Sequence, residues 1–497
     1  MIMSILLRVL VSMNIELGND EVYYRLYADP MQWNYFDHPP IIGWLIRFTT
    51  FNLFFDNDFF IRLGSIICGS LTLLMIFKCG VAIKDERTGF FAAAIYSATL
   101  YGTIISSVFI LPDSPQMFFW SISIFLLIKI ADRYTSRSKL DIYLISFGIS
   151  TGLGMLCKVH TVFLWLGFLI FIIIKRRDLL VNLNLYLSAL VTFIFFIPVI
   201  KWNFDHHFIT YSYHSNRVNH LEGGINLSSF LIFNVGQIFY TSIILFPIFI
   251  KAIFHSLKKT KEIEYEVIFL LICVSLPLII VSNFLSLFNT VLPHWSGPSF
   301  AGISIMSGIY LSEKTIQLMN VPKILKYALG FSLIVCITGI IMINHFPGTL
   351  GNKDENRIGN GDFTLDMYGW KNIKNQIYTV LQNDLNNKIM SSDDPFLENK
   401  WFPAAHIEHY IANPLNRTVL VFGPISDIHQ YLFLNESRKK LKKGDGAYCI
   451  VPSNYAFDAI GNFGNLFSSY DTAAIIPSNR SNKVVRKFFL LRFKGYK

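Results

Sequence analysis

Long apolar runs alternate with short polar segments through residues 1–344. Runs at 59–78, 89–110, 115–131, 141–157, 160–174, 184–200, 227–250, 267–288, 297–312 and 327–344 are suited to membrane-spanning helices. The N-terminal stretch Met1–Met13 carries Arg8 and lacks a small-residue cleavage site, so it reads as a short retained first span. Together these runs predict about eleven crossings; several fall short of the ~20 residues of a straight crossing, which leaves a margin of about two. Basic residues fix the orientation. With the N-terminus inside, Lys78, Lys84 and Arg87 share one side with Arg133, Arg137 and Lys139. Lys175, Arg176 and Arg177 follow the same parity, as do Lys251, Lys258, Lys259 and Lys261. The inverse topology would send all four basic loops to the wrong side.

Beyond about residue 345 the pattern turns polar. Gly348, Gly351, Gly359 and Gly361 mark a linker, and mixed elements then run to Lys497. Apolar spacing of three and four predicts helices near 366–384 and 401–412, and short apolar runs predict strands near 418–423, 447–452 and 484–494. The expected architecture is an all-α polytopic membrane domain, 1–344, followed by a small α/β domain, 345–497, on the outer face. Composition agrees with this reading: at 53% hydrophobic and 15% charged, the chain is too apolar for an ordinary soluble protein. The net charge of +10 is dispersed among short loops, which fits the positive-inside rule and not a nucleic-acid surface. The six cysteines show neither a disulfide framework nor zinc spacing, and no glycine loop of the Walker or Rossmann kind occurs.

The same topology places 14–58, Leu111–Ser114, the turn at Lys158, 201–226 and Asn289–Ser296 outside. Asp20 and Glu21 are adjacent, so on a helix they point about 100° apart, and one acts while the other caps or orients. Desolvation by Tyr23, Tyr24, Trp33 and Phe36 would raise such a carboxylate toward a useful general base; the plainer alternative is a helix-starting acidic pair. Asp113, in Leu-Pro-Asp-Ser-Pro, lies so near hydrocarbon that it needs a cavity or a partner, unless it merely caps the helix beginning at Pro115. His38, Lys158, His206, His207, His214, Arg217, His220 and His294 also fall in or beside outer loops, where an anion such as a lipid phosphate would need them. Lys158 has almost no loop around it and reads either as such a ligand or as a snorkelling anchor. Trp33, Trp202 and Trp295 suit an interfacial belt or a sugar-stacking surface. His406-Ile-Glu408-His409 has helical spacing but does not match a strong zinc motif.

The run Asn19-Asp-Glu-Val-Tyr-Tyr through Tyr35-Phe-Asp-His-Pro-Pro-Ile-Ile-Gly-Trp resembles the first outer loop of polyprenyl-phosphate-dependent membrane glycosyltransferases of the GT-C fold. Within them it resembles the bacterial lipid A aminoarabinose transferase and protein mannosyltransferase group. The resemblance continues through Leu111-Pro-Asp-Ser-Pro, Gly152-Leu-Gly-Met-Leu-Cys-Lys158, Pro198-Val-Ile-Lys-Trp-Asn203, Pro293-His-Trp-Ser-Gly-Pro298 and Trp401-Phe-Pro-Ala-Ala-His-Ile-Glu-His-Tyr410, nearly the whole chain. It implies that Asp20, beside Glu21, is the catalytic carboxylate and that Asp113 is the second acidic position. It also implies a basic role for Lys158, and His38 stands where some relatives carry a phosphate-binding lysine.

The resulting expectation is an enzyme of the bacterial inner membrane. It would transfer one sugar, with inversion, from an undecaprenyl-phosphate-type carrier to lipid A or another envelope glycan on the outer face. Asp20 would act on the acceptor, while His38, Lys158 and Arg217 would bind the donor phosphate; Tyr23, Tyr24, His214, His294 and Trp295 would line the substrate. No metal ligand set is marked, and these residues leave assistance by a divalent cation open. A protein acceptor is the first alternative, and a lipid-linked sugar flippase is the second. The flippase would instead place charges or broken helices at mid-membrane.

Overall fold

The computed structural model describes the backbone of residues 1–497 except 219–223, 259–261 and 316–319; the side chains of 216–218 and 262–264 also lie outside the described residues. The chain divides into two compact units, one formed by Met1–Leu10 with Pro30–Cys336 and the other by Val11–Asp29 with Ile337–Lys497.

The first unit is helical. Asp58–Ile83, Asp113–Ala131, Leu183–Asp205, Tyr265–Ser286 and Lys323–His345 are long and apolar enough to cross a membrane, with a sixth candidate if Ile2–Asn14 and Asn19–Ala28 count as one bent span. The protein is therefore a multi-pass membrane protein. Shorter or less apolar helices, including Arg137–Met155, Phe163–Lys175 and Ser299–Lys314, occupy the other expected positions. Two predicted runs are broken. The 89–110 run becomes Glu86–Ser97 followed by a π-helical turn, Tyr101–Ile105. The 227–250 run splits into Leu227–Tyr240 and Phe246–Lys258 around Ser242, whose φ is 82°.

Polar loops in this unit are tied down by side chains. Asn34 Nδ2 donates to the Tyr35 carbonyl (2.9 Å) and to Thr210 Oγ1 (3.0 Å), and Trp202 Nε1 donates to Gln32 Oε1 (3.2 Å). Pro39 and Pro40 then introduce helix Ile41–Thr49, where a fixed φ and a missing N–H suit a helix start. The Ile41 N–H donates to the Leu156 carbonyl at 3.2 Å, which joins the His38 segment to the turn that carries Lys158.

In the second unit, strands β1 (Phe396–Glu398), β2 (Val419–Val421), β3 (Ala447–Pro452), β4 (Phe467–Arg480) and β5 (Lys483–Tyr496) form one sheet in the order β2-β1-β3-β5-β4. β1 pairs parallel with β2 and β3, while β3–β5 and β4–β5 are antiparallel. Leu397, Cys449, Phe463, Leu491 and Phe493 belong to its core. The tail helices include Lys374–Asn386 and Trp401–Ile407, the latter continuing into a π-helical turn, Glu408–Ala412. The strands predicted near 418–423, 447–452 and 484–494 are present; β1 and β4 were not anticipated. Ser481 and Asn482, at φ 49° and 63°, close the β4–β5 hairpin in the left-handed conformation favoured by two-residue turns.

Candidate active site

In the first unit, three segments distant in sequence converge on one buried ion pair. Asp113 is the first residue of its helix and is 2% exposed, while Lys158 is 7% exposed. Lys158 Nζ donates to Asp113 Oδ2 at 2.9 Å, and the Tyr101 hydroxyl donates to Asp113 Oδ1 at 3.1 Å. Asp113 therefore carries a specific partner set, and Lys158 is not a snorkelling anchor. A carboxylate at this position also meets the positive end of its helix. Gln116 Nε2 donates to Thr161 Oγ1 at 3.2 Å, which locks the Asp113 helix to the Lys158 turn.

Tyr101 was not anticipated. Its π-helical turn bends an otherwise apolar run, a distortion frequent at functional sites. A signal lies in Pro293-His-Trp-Ser-Gly297-Pro298: a Cβ on Gly297 would meet the Tyr101 ring at 2.1 Å, so that glycine is where the phenol passes.

Imidazoles gather around the pair. The rings of His38 and His214 are 6.2 Å apart, and His214 Nε2–H donates to the Asp37 carbonyl at 2.9 Å. His160 lies 5.9 Å from the Trp295 ring, and His294 lies 6.2 Å from that of Tyr240. Desolvation pushes His38 down to about 4, with Asp37 opposing and His214 and Lys158 reinforcing the shift. Desolvation likewise takes His294 to about 4 against the opposing pull of Asp113. Both are neutral at pH 7 and offer hydrogen bonds without a full charge beside the Lys158 ammonium. His206 is occupied elsewhere: it stacks on Trp202 at 3.9 Å, and its Nδ1–H donates to the Trp202 carbonyl at 2.7 Å. Arg217 lies on helix Ile209–Val218 with its side chain outside the described residues, where His220 also falls.

The first-loop carboxylates belong to the second unit. Helix Asn19–Arg25 begins after Gly18, and Glu21, 2% exposed, accepts the Gly18 N–H at 2.9 Å. Glu21 is thus the capping member of the pair, while Asp20 on the preceding helical position is exposed. Tyr23 packs against Trp401 (4.8 Å), Tyr27 (5.3 Å) and His429 (5.9 Å), and its hydroxyl accepts the Gln430 N–H at 3.2 Å. Tyr24 packs against Tyr27 at 5.5 Å. Both tyrosines are buried within the unit.

Glu408 accepts the Tyr431 hydroxyl at 2.8 Å and pairs with Arg438. Among the described residues, no group of three or more His, Cys, Asp or Glu is placed to hold a metal.

Known proteins resemble this chain in sequence and in fold. The dolichyl-phosphate-mannose-protein mannosyltransferase family matches residues 37–202. The lipid A galacturonosyltransferase RgtD of Rhizobium johnstonii is 22% identical over 350 residues, covering 70% of this chain and 69% of that protein. The apo crystal structure of ArnT from Cupriavidus metallidurans superposes with a TM-score of 0.61 at 12% identity, covering 98% of this chain and 96% of ArnT. The same enzyme bound to undecaprenyl phosphate gives a TM-score of 0.60 at 12% identity, with the same coverage. The fold shared end to end, the family match across the loops around Asp113 and Lys158, and the curated relative together make this chain a glycosyltransferase of the GT-C fold.

Proposed function

We propose that this enzyme transfers a single sugar from a polyprenyl-phosphate carrier, of the undecaprenyl type, to lipid A or another envelope glycan on the outer face of the bacterial inner membrane. The observation that carries the reading is the buried Asp113–Lys158 pair with imidazoles beside it. A lipid phosphate needs one directed cation and several N–H donors, and it removes the need for a nucleotide site. In this reading Asp113 and Tyr101 aim Lys158 at the phosphate, and His38, His214 and His294 supply donors. Arg217, on helix Ile209–Val218, is proposed to add charge, and Trp295 to offer the sugar a ring face. The ArnT complex with undecaprenyl phosphate supports this donor class. The RgtD likeness supports a lipid A acceptor. The basic-loop parity supports an outer-face tail, and the remaining helices are proposed to bring the crossings to about eleven.

Asp20 is the proposed base. Exposed at the start of its helix, it would take the proton from the acceptor hydroxyl as that oxygen attacks the anomeric carbon. The carbon–oxygen bond to the phosphate breaks in the same step, and the leaving phosphate keeps the electron pair beside Lys158. One displacement inverts the anomeric centre.

The test is mass spectrometry of lipid A and total envelope glycan from a deletion strain complemented with wild type or Asp20→Asn. A sugar-sized increment restored by wild type and absent with Asp20→Asn supports the proposal; full restoration by Asp20→Asn removes the base. The family match also favours a protein acceptor as a second reading. An unchanged envelope accompanied by donor cleavage in purified protein would select it, whereas a flippase would leave the sugar–phosphate bond intact.

A further inference from the structure

Every residue from Glu16 to Asn19, the stretch leading into Asp20, is held directly or through its cap by groups of the second unit. The Trp370 and Lys371 N–H groups donate to the Glu16 carboxylate at 2.8 and 3.2 Å. The Leu17 N–H donates to the Tyr410 hydroxyl at 2.7 Å, and Gly18 is capped by Glu21. Asn19 is held at both ends of its amide: Nδ2 donates to Asp366 Oδ2 at 3.1 Å, and Oδ1 lies 2.8 Å from His406 Nε2. Because the amide nitrogen is the end facing the carboxylate, Oδ1 must accept, which places the proton of His406 on Nε2.

Each end of this relay is itself fixed. His406 has no exposed surface, and its ring lies flat on Trp370, 4.3 Å away and 5° from parallel. The guanidinium of Arg486 covers Trp370 at 4.3 Å and is anchored by the carbonyls of Leu365 and Tyr368. Asp366 also accepts the Tyr455 hydroxyl. A network of this kind is worth more than a packed apolar patch for one purpose, the holding of a single orientation. Catalytic groups need placement to within about 0.5 Å, and a 1 Å error costs about 100-fold in rate.

We infer that His406, acting through Asn19 and with Asp366, is a positioning residue that sets the orientation of the helix bearing Asp20. The tail is then part of what positions the catalytic carboxylate. The inference rests on Asp20 as the base, and it assigns His406 no contact with substrate.

The experiment pairs hydrogen exchange on the purified full chain in detergent with envelope mass spectrometry on the same variants. His406→Ala and Asn19→Ala cut the relay from opposite ends. Each is expected to speed exchange in the peptide covering 15–28 by about tenfold while leaving the β5 peptide unchanged. Each should also lower the modified fraction by about 100-fold. His406→Gln, whose amide N–H can stand in for Nε2–H, should recover both readouts. If His406→Ala also loosens β5, Asn19→Ala decides, since it leaves the tail interior intact. Unchanged protection of 15–28 in Asn19→Ala overturns the inference, as does full product from it while Asp20→Asn gives none. Full product from Asp20→Asn would instead overturn the base assignment, which the exchange data do not address.

Discussion

Lys158 and Asp113 show how much a single pair of charges carries. Each is almost without solvent, so removing one strands the other. Lys158→Met is expected to destabilise the protein by about 3–5 kcal/mol, the usual cost of an uncompensated buried charge. The double variant Asp113→Asn/Lys158→Met removes both charges and should recover most of the melting temperature but no product; a thermal melt in detergent and envelope mass spectrometry read the two effects. Equal stability of the single and double variants would show that the pair is not coupled. Both residues were legible in the sequence because charge is costly so close to hydrocarbon. Tyr101 was not. A phenol within an apolar run is indistinguishable from belt or core until the Gly297 contact shows where its ring lies.

Helix Asn19–Arg25 separates two adjacent carboxylates that the sequence could only call alternatives. Glu21 caps and Asp20 faces outward, so their substitutions should behave differently. Glu21→Gln keeps an acceptor for the Gly18 N–H and is expected to retain near-normal product. Glu21→Ala loses the cap and about 1 kcal/mol, seen as a lower melting temperature. Loss of product in Glu21→Gln with unchanged stability would move the catalytic role to Glu21. Among the larger elements, hydropathy found the runs but not the breaks at Tyr101–Ile105 and Ser242, because a window average does not register a turn whose residues are still apolar. In the tail, β3 and β5 were visible as buried runs. β4 was not, since an edge strand with half its positions exposed and few buried apolar residues has no apolar alternation to read.

For the molecule as a whole, the neutral imidazoles predict a pH dependence. His38 and His294 sit near 4 in the fold against an ordinary 6.5, so between those values the unfolded chain binds protons that the folded chain refuses. Stability should therefore be flat above pH 7 and fall as the pH drops from about 6.5 toward 4. Melts at pH 7.5, 6 and 5 check this, and His38→Gln/His294→Gln should flatten the slope; an unchanged slope would place the titrating groups elsewhere.

The sequence by itself determined the membrane class and the candidate charges, because each follows from local composition, spacing or the cost of burying charge, and its motifs carried the resemblance to GT-C glycosyltransferases. Only the tertiary structure decided which charges meet. It paired Lys158 with Asp113, added Tyr101, made Glu21 a cap, and assigned Val11–Asp29 to the compact unit of the tail and not to that of the helices. The Lys158–Asp113 pairing spans 45 positions and the ties of Leu17 and Asn19 to the tail span 393 and 347, and local propensity carries no record of contacts at such separations.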